Sequence, residues 1–115
     1  MSNLRNSIQL IGNLGRDPEV HETSTGKKVA RVTIATNESY KNKDGERVQK
    51  TEWHNLVAWG GQAAFFENYL QKGSLVGIRG KIAHRKYEGK DGLTKTFTEV
   101  IVNEVINLTP REVAV

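Results

Sequence analysis

The 115-residue sequence predicts an all-β domain: a five-stranded Greek-key barrel with one short helix between strands 3 and 4. Three observations predict it. Five segments read as strands, the clearest of them alternating apolar and polar residues with period two. A single stretch, Gln62 to Lys72, has helical spacing instead. Glycine is frequent, at 11 residues, and proline scarce, at 2, a balance that suits short strands, kinks and tight turns.

The first strand runs from Ser7 to Leu14 and carries Ile8, Leu10, Ile11 and Leu14. Gly12 and Gly15 mark a bulge or a sharp bend, as at a barrel corner. Residues 1–4 read as loose. Asp17-Pro18 signals a turn. Glu19 to Glu22 extends a ribbon, and Thr23 to Gly26 is a loop by composition. The second strand, Lys28 to Tyr40, turns Ala30, Val32 and Ile34 to one face and Arg31, Thr33 and Ala35 to the other. Asp44-Gly45 then predicts a hairpin with a basic tip, Lys41 to Arg47, because a tight turn needs the positive φ that glycine adopts cheaply.

The hairpin returns through Val48 to Gly60. Within it, Thr51 to Gly60 holds both tryptophans of the chain. Trp53, Asn55, Val57 and Trp59 share one face, with Glu52, His54, Leu56 and Ala58 on the other. Two roles fit a same-face tryptophan pair: core, or a stacking platform beside polar Asn55. Gly60-Gly61 ends this strand. In the helix, Ala63, Phe66 and Leu70 form one stripe, and Phe65, Phe66 and Tyr69 read as core contacts. Lys72 sits in its last turn and Gly73 stops it. The fourth strand is Ser74 to Tyr87, Gly89 to Gly92 is a turn, and the last strand is Leu93 to Leu108. The order strand, strand, strand, helix, strand, strand is that of an OB-fold. One domain spans residues 1–115, ordered over about 5–108; no repeat or linker divides it.

Composition narrows the function. A formal charge of +4 and a pI near 9.5 favour an anionic partner. Cysteine is absent, so disulfides and thiolate metal sites are excluded. No apolar run is long enough to span a membrane, and no apolar leader is visible, which reads as a cytoplasmic protein with no membrane partner. His21, His54 and His84 lie on separate segments without metal-ligand spacing. No phosphate loop or nucleophile elbow occurs. Glu99, mid-strand in Thr98-Glu99-Val100, reads as one half of a structural ion pair. The chain is expected to bind rather than catalyse, and to need no cofactor.

Four fragments resemble a known family: Asn13-Leu14-Gly15-Arg16-Asp17-Pro18-Glu19, Thr51-Glu52-Trp53-His54, Tyr69-Leu70-Gln71-Lys72-Gly73 and Thr98-Glu99-Val100. In this order and register they are similar to the bacterial single-stranded DNA-binding proteins, from about Asn6 to Val102. The resemblance implies an OB-fold, a homotetramer, and sequence-independent binding of single-stranded DNA in replication, recombination and repair. It implies base stacking by Tyr40, Trp53, Trp59 and Tyr87, and phosphate contacts from Lys43, Lys72, Arg85, Lys86 and Lys95. Lys41 and Arg47 of the basic tip join that set. The chemistry agrees: flat rings accept any base, and cations between them track the backbone.

The sequence also departs from the family. Tyr40 and Tyr87 stand where Trp is common, and Asn55 and Gly61 where well-known members carry cations. The chain ends Thr109-Pro110-Arg111-Glu112-Val113-Ala114-Val115, without the disordered linker and acidic tip through which the family recruits replication and repair proteins; a truncated chain and a naturally short member both fit this end, and those partners stay open. The first strand, with Ser7 and Gln9, is the expected joint between copies, since its edge can pair with itself across a two-fold axis; His54 joins it as an interface residue carried over from the family. The expected setting is the cytoplasm, nucleoid-associated. Two rivals keep the fold: a primosomal restart-type OB protein, and an OB module whose aromatic face binds protein.

Overall fold

The structure, a computed structural model, describes residues 4–110. Of the loose stretch read over residues 1–4, only Leu4 is described, in a turn. The chain end from residue 111 lies outside the described residues. Six strands and one helix follow in order: β1 (Ile8–Leu14), β2 (Glu19–Glu22), β3 (Lys28–Lys41), β4 (Arg47–Trp59), α1 (Gly61–Tyr69), β5 (Leu75–Glu88) and β6 (Thr94–Asn107). The sheet order is β1-β5-β6-β4-β3-β2, and β1 also pairs with β3. That last pairing closes a five-stranded barrel. β2 is an appended ribbon on β3, as Glu19 to Glu22 suggested.

Closure depends on one strand serving two neighbours. β1 pairs with β5 from Ile8 to Asn13, and with β3 at Asn13 and Leu14. Gly12 sits at the switch, where a Cβ would come within 2.1 Å of the Ala35 carbonyl oxygen. Pairing runs unbroken through Gly12, so its role is close approach at a barrel corner rather than a bulge. The register shift falls instead between Arg79 and Gly80, on the β5–β6 ladder. There a Cβ on Gly80 would lie 2.0 Å from the Ile101 carbonyl oxygen. β4 and β6 meet in parallel over only Leu56↔Val100 and Val57↔Ile101.

The alternation sets the core. Ala30, Val32 and Ile34 of β3, Leu56 and Ala58 of β4, Val76 and Ile78 of β5, and Val100 and Val102 of β6 point inward and are buried. The stripe Ala63, Phe66 and Leu70 plugs the barrel from one end. Burial stops partway along the long strands: β3 is buried to Ala35 and exposed from Asn37 on. The β3–β4 and β5–β6 hairpins therefore continue as two arms beyond the barrel.

The helix is shorter than its sequence pattern. It ends at Tyr69, and Leu70 turns extended (φ −119, ψ 147) while its N–H still bonds the Phe66 carbonyl. Tertiary hydrogen bonds outcompete another helical turn. Asp17 accepts the Lys72 N–H at 2.8 Å, the Leu14 carbonyl accepts the Gly73 N–H at 2.8 Å, and Gly73 takes φ +89. Lys72 is thus in the following loop, not in the helix. Of the three helix aromatics, Phe66 is core and Phe65 packs against it. Tyr69 is exposed and contacts only the Phe65 ring among aromatics, at 5.1 Å, so its reading as a core contact is corrected. Lys28 ties β3 to the helix through Glu67, at 2.6 Å. That hydrogen bond and the carboxylate's charge hold the Lys28 ammonium above the usual lysine range.

Candidate nucleic-acid interface

Directly paired residues share a face of a sheet, so the register states which side chains belong together. On β4, Trp53 pairs with Ala35 and Trp59 with Val29. The Trp53 ring lies against Gly15, where a Cβ would come within 2.4 Å of Cζ3. Trp53 is nevertheless 61% exposed and Trp59 42%. The core role is overturned for both. The Trp53 ring rests on Gly15, and both rings remain open to solvent.

Cations rim this face. Lys41 pairs with Arg47 at the base of the β3–β4 tip, in phase with Trp53. On the second arm, Tyr87 pairs with Lys95 and Arg85 with Phe97. Residues 97, 99 and 101 of β6 are in phase, and Ile101 pairs with Val57. Arg85, Tyr87 and Lys95 therefore belong to the face that carries the tryptophans. Phe97 lies under the Arg85 guanidinium, 4.9 Å from its ring centre. Lys95 approaches Asp91 at 4.0 Å.

The remaining sequence-predicted residues lie elsewhere. Tyr40 pairs with Val48 and Lys86 with Thr96, which puts each on the reverse face of its arm; Tyr40 is exposed. Lys43 occupies the turn at the first tip. Asn42 Oδ1 accepts the N–H groups of Asp44 and Glu46 there, at 3.0 and 2.9 Å, and Gly45 takes φ +77. Lys72 lies beside Asp17, near the barrel end of the first arm. Lys43 and Lys86 make no ion pair among the described residues. The two tips repeat one design: Gly92 at the second takes φ +78 and bonds back to Gly89 as Gly45 does to Asn42.

Sequence reasoning missed Arg31 and Phe97. Arg31 Nη1 donates to Glu99 Oε2 at 3.0 Å, and Arg85 Nε approaches Glu99 Oε1 at 3.7 Å. The ion pair expected of Glu99 is present, with two bases rather than one. The outward alternation of Arg31 was visible in the sequence; its reach across β4 was not. No group of three or more potential metal ligands occurs among the described residues.

The proposed joint is also placed. Ser7 and Gln9 are exposed, and Gln9 pairs with Arg79, whose guanidinium bonds Glu104. His54 faces away from the tryptophans, half-buried, with Nε2 3.0 Å from Thr36 Oγ1. Near Gln9 the sheet shows an apolar row unnoticed in the sequence. Gly77 pairs with both Ile11 and Ile106, and these isoleucines are 65% and 57% exposed. They flank a groove of about 450 Å³.

A small five-stranded barrel capped by one helix is an OB-fold, and exposed rings interleaved with cations are groups that can stack flat bases and pair with phosphates. The chain belongs to the single-strand binding protein family, whose model matches residues 5–108. It is 43% identical over 100 residues to a single-stranded DNA-binding protein of Neisseria meningitidis, covering 87% of this chain and 58% of that one. It is 39% identical over 100 residues to one of Xanthomonas axonopodis pv. citri, covering 87% and 56%. The chain thus spans a little over half the length of these curated relatives. Its fold matches a solved Plasmodium falciparum SSB in complex with single-stranded DNA, with a TM-score of 0.85 and 31% identity, over 94% of this chain and 98% of that one. No helix among the described residues is long and apolar enough to cross a membrane.

Proposed function

We propose that this chain binds single-stranded DNA without sequence choice and protects it during replication, recombination and repair. The observation that carries the reading is Trp53 and Trp59, exposed on one strand of the barrel and flanked by cations from both arms. Bases stack on Trp53, Trp59 and Tyr87, with Tyr40 capturing the strand as it passes behind the first arm. Lys41, Lys43, Arg47, Lys72, Arg85, Lys86 and Lys95 hold phosphates. The activity is binding without catalysis, set in the cytoplasm with the nucleoid.

Affinity for oligo-dT is expected to fall linearly with salt on a log–log scale, with slope about −0.7 per phosphate neutralised on a single strand. Lys43→Ala and Lys86→Ala should each flatten that slope by roughly one contact, equally for oligo-dT and mixed sequences. A titration in several salt concentrations checks this, and an affinity independent of salt contradicts phosphate tracking.

Four copies form the working unit in this reading, as a dimer of dimers. Among the described residues no strand pairs with the other edge of β1 from Ile8 to Ile11, which suits self-pairing across a two-fold axis beside Ser7 and Gln9. The Ile11–Gly77–Ile106 row supplies apolar area for a second contact. Sedimentation without DNA at micromolar protein is expected to show four chains, of formal charge 4 × (+4) = +16. A monomer at all concentrations removes the assembly and leaves binding intact.

A further inference from the structure

We infer that Arg31 and Arg85, held by Glu99, form a guanidinium site for a backbone phosphate on the track between Trp53 and Trp59, an inference that rests on the chain binding single-stranded DNA. Among the described residues Glu99 is the one buried side chain that carries a charge. Its carboxylate is shared by guanidinium groups from two different strands, at 3.0 Å for Arg31 and 3.7 Å for Arg85. Sheet order puts β4 between β3 and β6. The Arg31–Glu99 bridge must therefore cross β4.

The register says where it crosses. Arg31 pairs with Val57, and Val57 with Ile101, two residues from Glu99. The crossing lies on the face of Trp53, Asn55, Val57 and Trp59, between the two rings. Val57 is 1% exposed although it points to that face, as expected of a residue beneath the bridge. A strand stacked on Trp59 and then Trp53 passes directly over it.

The donors suit a phosphate. A guanidinium has five N–H donors in a planar fork. Glu99 takes Nη1 of Arg31 and faces Nε of Arg85, so further donors of both groups remain for a second anion. Phe97 fixes the plane of Arg85 from below. Asn55, the nearest polar neighbour on β4, gives its amide N–H to the Thr98 carbonyl at 3.4 Å and leaves the cluster alone. Two cations and one carboxylate leave one net positive charge. Without the carboxylate the guanidinium groups repel and lose their fixed orientation, so Glu99 is a positioning residue: it adds negative charge to a DNA-binding face yet strengthens binding by preorganisation.

The test titrates the full chain and its Arg31→Ala, Arg31→Lys and Glu99→Gln variants with oligo-dT across a salt series. Arg31→Ala is expected to weaken binding about tenfold at low salt, as loss of one charged hydrogen-bonding contact does, and to flatten the slope by about 0.7, one phosphate. Arg31→Lys should keep the slope and lose part of the affinity, because an ammonium keeps the charge without the fork. Glu99→Gln separates positioning from charge by sign. It raises the net charge by one, so charge alone makes binding tighter; positioning makes it weaker, by about three- to tenfold. An unchanged slope for Arg31→Ala, or tighter binding by folded Glu99→Gln, overturns the inference. Arg31 is partly exposed, so its variants carry the test even where Glu99→Gln unfolds. Failure of the unsubstituted chain to bind oligo-dT strikes the underlying reading instead.

Discussion

Trp53→Ala should weaken oligo-dT binding by about 1–3 kcal/mol, the usual worth of one base–aromatic stack. The fold should survive, because the ring is 61% exposed and lies outside the core cluster. Its inner surface rests on Gly15, which has no side chain to hold a replacement in place, so the platform is lost rather than remodelled. Trp59→Ala should cost a similar amount by the same mechanism. Calorimetric or anisotropy titration of each folded variant checks the loss. Wild-type affinity in folded Trp53→Ala would mean that the ring only covers the barrel.

Gly12→Ala is expected to have the largest effect on stability. The added Cβ would meet the Ala35 carbonyl oxygen at 2.1 Å and its carbon at 2.9 Å. Both are backbone atoms of a central strand, so neither can rotate away. β1 must then move off β3 and open the barrel where Asn13 and Leu14 close it. Overpacking of this kind costs about 1–3 kcal/mol and sometimes more, a large part of a small domain's total stability of about 5–15 kcal/mol. Gly26→Ala is a useful control. Its Cβ would meet nothing within 4 Å, so only the strain of its φ of +85 acts. Thermal unfolding of the two variants should show Gly12→Ala as the clearly less stable; equal stabilities would contradict the role given to Gly12.

Much of this architecture is readable before any coordinates. The alternation through Ala30, Val32 and Ile34, the Asp44-Gly45 turn and the helical stripe of Ala63, Phe66 and Leu70 are local signals, and each is met in the structure. The shared face of Trp53 and Trp59 follows from parity alone. What parity cannot give is the relation between strands. Tyr40 falls on the reverse of Trp53 because the turn from Asn42 to Glu46 sets Lys41 opposite Arg47; a one-residue slip would have put it on the front. Which β6 residues share the face of Arg85 and Tyr87 depends in the same way on the register shift opposite Arg79 and Gly80, where Asn103 is the extra residue on β6. The helix end was misread because its competitors, Asp17 and the Leu14 carbonyl, are remote in sequence. Arg31 and Glu99 are 68 residues apart, and no spacing rule reaches that far.

The resemblance contributed the roles, and the register groups them. Lys41, Arg47, Trp53, Trp59, Arg85, Tyr87 and Lys95 share one face, while Tyr40 and Lys86 back the two arms. A strand that contacts all of them has to pass around the arms as well as across the barrel. This fits a ligand that wraps rather than one that docks flat, and it is why Lys86→Ala belongs in the salt series beside Lys43→Ala.

The most direct test is an equilibrium titration of intrinsic tryptophan fluorescence with oligo-dT. Both tryptophans lie on the proposed track, so their emission should be quenched to saturation as bases stack, and salt should reverse the quenching. Double-stranded DNA of the same length, its bases already stacked on each other, should quench far less. Fluorescence unchanged at saturating oligo-dT, or equal quenching by the duplex, would contradict a face built to stack the bases of a single strand.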